Sequence, residues 1–112
     1  MCIRDRYLKG TLNEGLILKP NPDRFDLDVF VDSDFAGLWP YEDKLKPVSV
    51  KSRMGFVMQL ADCPIVWGSK LIAEIAMSTM EAEYMGLSMC MRHVIPLQRT
   101  IRRLADLSLI HI

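Results

Sequence analysis

Apolar side chains recur at every second position of residues 25–31, and aspartates occupy most of the positions between them. A period of two with β-branched residues predicts a strand with one buried face. A second alternation covers residues 52–60, and a third apolar run covers residues 64–70. The short segment 61–63 between them suits a hairpin, so we expect three antiparallel strands. The expected inward side chains of the second strand are Met54, Phe56, Met58 and Leu60.

Residues 38–50 separate the first two strands and contain Pro40, Pro47 and mixed charges. They have no strand pattern, and we interpret them as a long loop.

The period changes after Ser78, where the pattern predicts one long helix. Apolar side chains are spaced four, three, four and three residues apart, which is typical of one helical stripe: Met80, Tyr84, Leu87, Met91 and Val94. We interpret this stripe as the face that packs on the sheet. Pro96 should kink the helix or end it near Ile95. A basic cluster follows and is expected on a solvated face: Arg99, Arg102 and Arg103. The order strand, strand, strand, helix predicts an α/β (α+β) chain.

The 112 residues suffice for one domain with a modest core, and half of them are apolar. Because 14 basic residues balance 14 acidic ones, bulk charge gives no reason to expect nucleic-acid binding. The three cysteines have no metal-ligand spacing with either histidine, which favours a reduced, intracellular chain. No apolar run approaches the ~20 residues that span a bilayer, and there is no signal peptide, so we expect no membrane contact.

The two ends look like a transposase tag from a sequencing library. The DNA sequence ATGTGTATAAGAGACAG encodes MCIRD, and its reverse complement, CTGTCTCTTATACACAT, encodes LSLIH. Residues 1–5 and 107–112 are therefore excluded from fold reasoning. We expect the genuine chain to cover residues 6–106 and to be cut at both ends.

Two glutamates near the start of the helix compete for a functional role. Ser78 and Glu81 fit a capping box, in which Glu81 reaches back to the N-cap amide. Glu83 has no such local partner. At ~100° per residue, Glu83 lies about 60° from the centre of the apolar stripe and Glu81 about 100° away. We therefore take Glu83 as the functional candidate, with two solvent-facing helix formers as the alternative.

The strand over residues 25–32 runs into Asp32 and Asp34. A strand-end aspartate and a helix glutamate can converge, and clustered carboxylates need a cation between them. Hard oxygen ligands without Cys or His suit Mg²⁺, and two such ions can drive phosphodiester hydrolysis. Turn-forming aspartates are the alternative, and the pair alone is a weak signal.

Four ordered motifs strengthen this interpretation: VDSDFAG, SVKSRMGFVMQL, CPIVWGSKL and STMEAEYMGLS. They resemble the ribonuclease H domain of copia-type LTR retrotransposon polyproteins. The preceding RYLKGT resembles the segment that joins the reverse transcriptase to this domain. The resemblance implies that residues 6–24 are a linker from the reverse transcriptase. It implies that residues 25–106 are the N-terminal part of an incomplete ribonuclease H-like fold.

The resemblance also implies an activity: two-metal hydrolysis of the RNA strand of RNA–DNA hybrids with Mg²⁺ or Mn²⁺. By motif, Asp32 and Glu83 resemble the catalytic metal ligands, and Asp34 is a candidate outer-shell residue. Weaker candidates for nucleic-acid contact are Ser33, Lys51, Arg53 and Lys70, for which a solubilising charge is an equal alternative. The implied partners are the hybrid and the reverse transcriptase, in a cytoplasmic virus-like particle.

The family needs two further aspartates, which this chain does not carry in the matching places. We therefore expect that the chain alone does not act as a nuclease. The alternative function is a catalytically dead ribonuclease H-like connector or interaction module of a degenerate retroelement.

Overall fold

The computed structural model describes residues 3–39 and 45–110, with the main chain alone over residues 107–110. The elements follow in the order α1 (Ile3–Gly10), β1 (Leu27–Ser33), a short 3₁₀ helix (Pro47–Val50), β2 (Arg53–Leu60), β3 (Cys63–Leu71) and α2 (Thr79–Ile110). The predicted order of three antiparallel strands and a long helix is confirmed. The predicted loop over residues 38–50 contains the 3₁₀ helix, and Pro40 lies outside the described residues.

The three strands form one antiparallel sheet in the order β1-β2-β3, so β1 and β3 are its edges. In register, Ser33 lies opposite Met54, and Met54 lies opposite Lys70. The β2–β3 connection is a two-residue turn, in which Ala61 and Asp62 have φ of 53° and 63°. Two successive positive φ values are those of a type I′ turn, whose twist matches that of the strands.

The residues before β1 are fixed to this turn. The Asn21 N–H donates to the Ala61 carbonyl at 2.8 Å, and the Asn21 side-chain amide donates to Asp62 at 2.8 Å. The Arg24 guanidinium forms three ion pairs, with Asp26, Asp28 and Asp62. These contacts join the segment before β1 to the turn between β2 and β3. By contrast, α1 has no buried residue.

The core lies between one face of the sheet and α2. Its buried residues are Met54, Met58, Ile72 and Cys90. Partly buried neighbours pack around them: Leu27, Val29, Val31, Phe56, Val66, Met85, Met89, Val94 and Leu97. The inward positions predicted for β1 and β2 are confirmed for Val29, Met54 and Met58, whereas Phe25 is 63% exposed. The Phe56 ring also stacks on His93, with centroids 5.3 Å apart.

The predicted packing face of the helix is wrong. Met80, Tyr84, Leu87 and Met91 are 40–67% exposed, and only Val94 of the predicted stripe packs against the core. The buried face of the helix instead carries Ala82, Gly86 and Cys90. Gly86 lies against Ser33 and Met54, and Cys90 belongs to the core. At ~100° per residue, this face lies about 120° from the centre of the predicted stripe. Small side chains allow the helix axis to come close to the strands, and Met85 and Met89 then fill the flanks.

Of the two outcomes predicted at Pro96, an end of the helix is wrong, since α2 continues to Ile110, and a kink stays a prediction. Proline removes one main-chain hydrogen bond inside a helix. The helix is held on both sides of Pro96 by packing, since Val94 and Leu97 lie against the core. The arginines of the basic cluster are exposed, as predicted. Within the described ranges, no helix combines the length and apolar character needed to cross a membrane.

Substitution with glutamine tests the rotational setting of α2. Ala82→Gln should lower the free energy of unfolding by about 2 kcal/mol or more, because it overpacks the sheet contact and buries an amide. Tyr84→Gln should change it by less than about 0.5 kcal/mol, since Tyr84 is 67% exposed. Urea denaturation of both variants gives the comparison, and a larger effect at Tyr84 would restore the predicted face.

Candidate active site

Asp32 lies near the end of β1, where its main chain pairs with Gly55 of β2. Its neighbours Val31 and Ser33 are on the helix side of the sheet, and Asp32 itself is exposed. Strand pairing therefore fixes the Asp32 backbone while its carboxylate stays open to solvent. This combination suits a residue that receives a ligand.

Glu83 is held near the start of α2 by a capped N-terminus. Ser78 Oγ accepts a hydrogen bond from the Glu81 N–H at 3.1 Å. Glu81 Oε2 accepts one from the Met77 N–H at 2.6 Å. Glu81 therefore has the predicted capping role, although it reaches the amide of Met77, not that of Ser78. Glu83 has no such contact and is exposed.

The structure brings Asp32 and Glu83 to one groove of about 500 Å³ between the β1 edge and α2. The groove is also lined by Val31, Ser33, Met80, Tyr84 and Leu87. Glu83 lies about 60° from the centre of the Ala82–Gly86–Cys90 face and Glu81 about 140° away, at ~100° per residue. Glu83 is therefore nearer than Glu81 to the buried face of the helix, and its functional role stays a prediction.

Asp34 forms main-chain contacts at the end of the sheet. Its Oδ1 accepts a hydrogen bond from the Arg53 N–H at 2.7 Å and a longer one from the Gly37 N–H at 3.4 Å. Its own N–H donates to the Arg53 carbonyl at 2.9 Å. Asp34 therefore ties the loop after β1 to the start of β2. An outer-shell role toward metal stays a prediction, to which this structural role is added.

The loop after Asp34 also depends on Gly37 and Ser52. A Cβ atom at Gly37 would lie 2.5 Å from Asp34 Oδ2 and 2.8 Å from its Cγ, so a larger residue would displace this carboxylate. Ser52 is fully buried, and its Oγ accepts a hydrogen bond from the Ala36 N–H at 3.3 Å. Ala36 has φ of 51°, the left-handed region. The segment from Asp32 to Gly37 is thus an ordered loop, whose hydrogen bonds and close contacts fix the end of β1.

The four predicted nucleic-acid contacts lie at the Asp32 end of the sheet, but they differ in accessibility. Arg53 and Lys70 are exposed and Lys51 is half-buried. The Ser33 hydroxyl is buried and has no hydrogen-bond partner among the described residues. Arg53, Lys51 and Lys70 can therefore meet a phosphate, whereas the Ser33 hydroxyl faces the helix.

A metal ion would find few ligands in the part of the chain that the structure describes. No group of three or more His, Cys, Asp or Glu residues there is arranged to hold one. Cys63 and Cys90 are free and buried, and burial raises the pKa of the Cys90 thiol. The two groove carboxylates have the right donor chemistry for Mg²⁺ or Mn²⁺, but they supply only two side chains.

A second groove, of about 620 Å³, lies on the sheet face opposite α2. It is lined by exposed aromatic side chains, Phe30 and Trp67, and reaches Asp32 and Arg53 at one end. Asp32 thus borders both grooves, but Glu83 lines only the first. The pair of acids places the candidate site on the helix side.

Gly86 and Ser52 are the site residues that the sequence reasoning missed. Gly86 is the one glycine within the α2 sequence, and a glycine inside a helical pattern signals a packing or functional reason. Ser52 lies within the motif SVKSRMGFVMQL, but a serine at the start of a strand does not by itself indicate a buried hydrogen-bond acceptor.

Two known proteins align with 83 residues, or 74%, of this chain. They are the Retrovirus-related Pol polyproteins from transposons RE1 and RE2 of Arabidopsis thaliana, at 36% and 34% identity. This similarity supports a retrotransposon polyprotein origin of the chain. It spans about 5% of the length of either relative. No protein-family model and no solved structure matches it.

Substitution of Asp34 separates its structural role from ligand binding. Asp34→Ala should lower the free energy of unfolding by about 1–3 kcal/mol, because the Arg53 and Gly37 amides lose their acceptor. Asp34→Asn retains an oxygen acceptor and should cost less, and Asp32→Asn should have little effect. Thermal denaturation followed by circular dichroism ranks the three variants. Equal melting temperatures for Asp34→Ala and Asp32→Asn would contradict this role.

The two helix glutamates should separate in the same measurement. Glu81→Ala removes the acceptor of the Met77 amide and should cost about 1 kcal/mol. Glu83→Ala should leave stability nearly unchanged, since Glu83 is exposed and lies outside the capping box. A larger loss at Glu83 would mean that its carboxylate serves the fold.

Proposed function

We propose that this chain is part of a ribonuclease H domain of a retrotransposon polyprotein, which hydrolyses the RNA strand of RNA–DNA hybrids during reverse transcription. One observation carries the proposal: Asp32 and Glu83, the acids singled out by motif, line the same groove although 51 positions separate them. The similarity to two Pol polyproteins supports the polyprotein origin. By the same resemblance, the parent polyprotein acts in a cytoplasmic virus-like particle.

Asp32 and Glu83 would hold Mg²⁺ or Mn²⁺ in the complete domain. Their oxygen donors fit such an ion, and both side chains are exposed toward the groove. When bound, divalent ions activate a water and stabilise the leaving oxygen of the phosphodiester. Further ligands would have to come from elsewhere in the polyprotein, since the described residues offer no third one in this groove.

The chain's own residues position the acids and the hybrid. The β1–β2 pairing fixes Asp32, and the capped start of α2 fixes the main chain around Glu83. Exposed Arg53 and Lys70, with half-buried Lys51, supply positive charge for phosphates at the same end of the sheet. This charge is local, since the net charge of the chain is zero.

The second candidate is a catalytically dead connector or interaction module beside the reverse transcriptase. Two observations favour it. The described residues hold no group of three potential metal ligands. An exposed apolar stripe on α2, formed by Met80, Tyr84, Leu87 and Met91, lies free for contact with another part of a polyprotein.

A cleavage assay with a labelled RNA–DNA hybrid tests the proposal. The 112-residue chain alone should give no metal-dependent cleavage, because two carboxylates hold the ions poorly. The same chain extended to include the downstream part of its reading frame should cleave the RNA strand with Mg²⁺ or Mn²⁺. In the extended chain, Asp32→Asn and Glu83→Gln should each lower the rate by a factor of about 100 or more.

The matched control is Glu81→Gln, which changes a neighbouring acid outside the groove and should keep most of the activity. An extended chain that binds the hybrid without cleaving it would favour the connector. Cleavage by the 112-residue chain that survives Asp32→Asn would refute the assigned ligands.

A further inference from the structure

Helix α2 meets strand β1 at Gly86, which is buried. A Cβ atom added there would overlap the Ser33 hydroxyl. It would also lie 3.3 Å from Ser33 Cβ, closer than most Cβ contacts, and 3.4 Å from Met54 Cβ, at the lower limit of van der Waals contact. Ser33 and Met54 are cross-strand partners, so two strands form the floor under Gly86. The absent side chain therefore decides how near the helix approaches the sheet.

The Ser33 hydroxyl is buried in this contact without a hydrogen-bond partner among the described residues. A buried polar atom that lacks a partner is unfavourable, and such atoms are rare in folded proteins. Here it persists because the helix backbone at Gly86 closes over it. An apolar side chain would serve the core equally well at this position.

Each side of this contact is close in sequence to one acid of the groove. Ser33 follows Asp32 directly, and Gly86 lies three residues, or about one helical turn, after Glu83. A change in the helix-to-strand distance at Gly86 therefore also moves the main chain that carries Glu83.

We propose that Gly86, through its contact with Ser33, is a positioning residue that sets the separation of Asp32 and Glu83 for a shared divalent cation. This inference rests on the proposed function, because it presumes that the pair binds a cation. A larger residue at position 86 would move α2 away from β1 and separate the carboxylates.

Helix propensity distinguishes positioning from simple packing. Glycine is less favourable than alanine in a helix interior, so Gly86→Ala should strengthen the helix where space permits. If Gly86 has only a local packing role, the Ser33 side chain can rotate away from the added methyl group of Gly86→Ala. That variant is then at least as stable as the parent chain, and its cation affinity does not change. If Gly86 positions the pair, the affinity falls whatever happens to the helix.

The experiment measures Mn²⁺ binding by electron paramagnetic resonance to the extended chain of the cleavage assay, because two carboxylates alone hold the ion poorly. Asp32→Asn reports whether the groove binds the ion. Gly86→Ala should weaken Mn²⁺ affinity about tenfold, the low end of the range for residues that orient metal ligands. The double variant Ser33→Ala/Gly86→Ala removes the overlapping hydroxyl and should return the affinity to within about threefold of the parent. Ser33→Ala alone should bind like the parent.

Each other outcome has a definite meaning. Loss at Asp32→Asn with unchanged affinity at Gly86→Ala would overturn the positioning role and leave the proposed function standing. Equal or absent binding by the parent and Asp32→Asn would refute the cation pair itself, and the positioning role with it. A weakened Gly86→Ala that the second substitution fails to rescue would assign the effect to something other than this contact.

If Gly86→Ala does not fold, Ser33→Thr adds one methyl group to the same contact from the strand side. It should weaken Mn²⁺ binding similarly while circular dichroism keeps the helical signal. Unchanged binding by a folded Ser33→Thr would overturn the proposal.

Discussion

The close contact between α2 and β1 is the constraint on which the rest of this structure depends. The helix presents Ala82, Gly86 and Cys90 to the sheet, and none of these has a side chain long enough to hold the two layers apart. Larger residues fill the space on either side. Because packing in a protein interior is dense and directional, this one face fixes both the height and the rotation of the helix. The position of the helix in turn determines where the α2 residues that line the groove lie relative to β1.

The groove is a consequence of two local structures that meet. The end of β1 is determined by Asp34, which binds main-chain amides, and by Gly37, which leaves room for it. The start of α2 is determined by the Ser78 and Glu81 caps. Asp32 and Glu83, unlike Asp34 and Glu81, have no part in these hydrogen bonds. Acids that the fold does not need, placed along one groove by a paired strand and a capped helix, are what the proposed cation site requires.

The exposed stripe of α2 and the free edge of β1 bound the same side of the molecule. Apolar helix residues at 40–67% exposure are costly in water when they are contiguous, and an unpaired strand edge invites another strand. In the two relatives the aligned stretch is about 5% of the polyprotein, so neighbouring parts of those chains can cover such surfaces.

The sequence by itself determined the elements and the choice of acids. Period-two alternation located two strands and an apolar run located the third. The capping box located the start of α2, and the capping role of Glu81 singled out Glu83. These signals are local, so they can be read without knowing the fold. Only the tertiary structure decided which face of α2 packs, because the most apolar stripe and the most closely fitting stripe are different faces. Hydrophobicity favoured Met80 and Tyr84, whereas the space beside Ser33 admits only a residue without a side chain, and that space exists only after two distant segments have met.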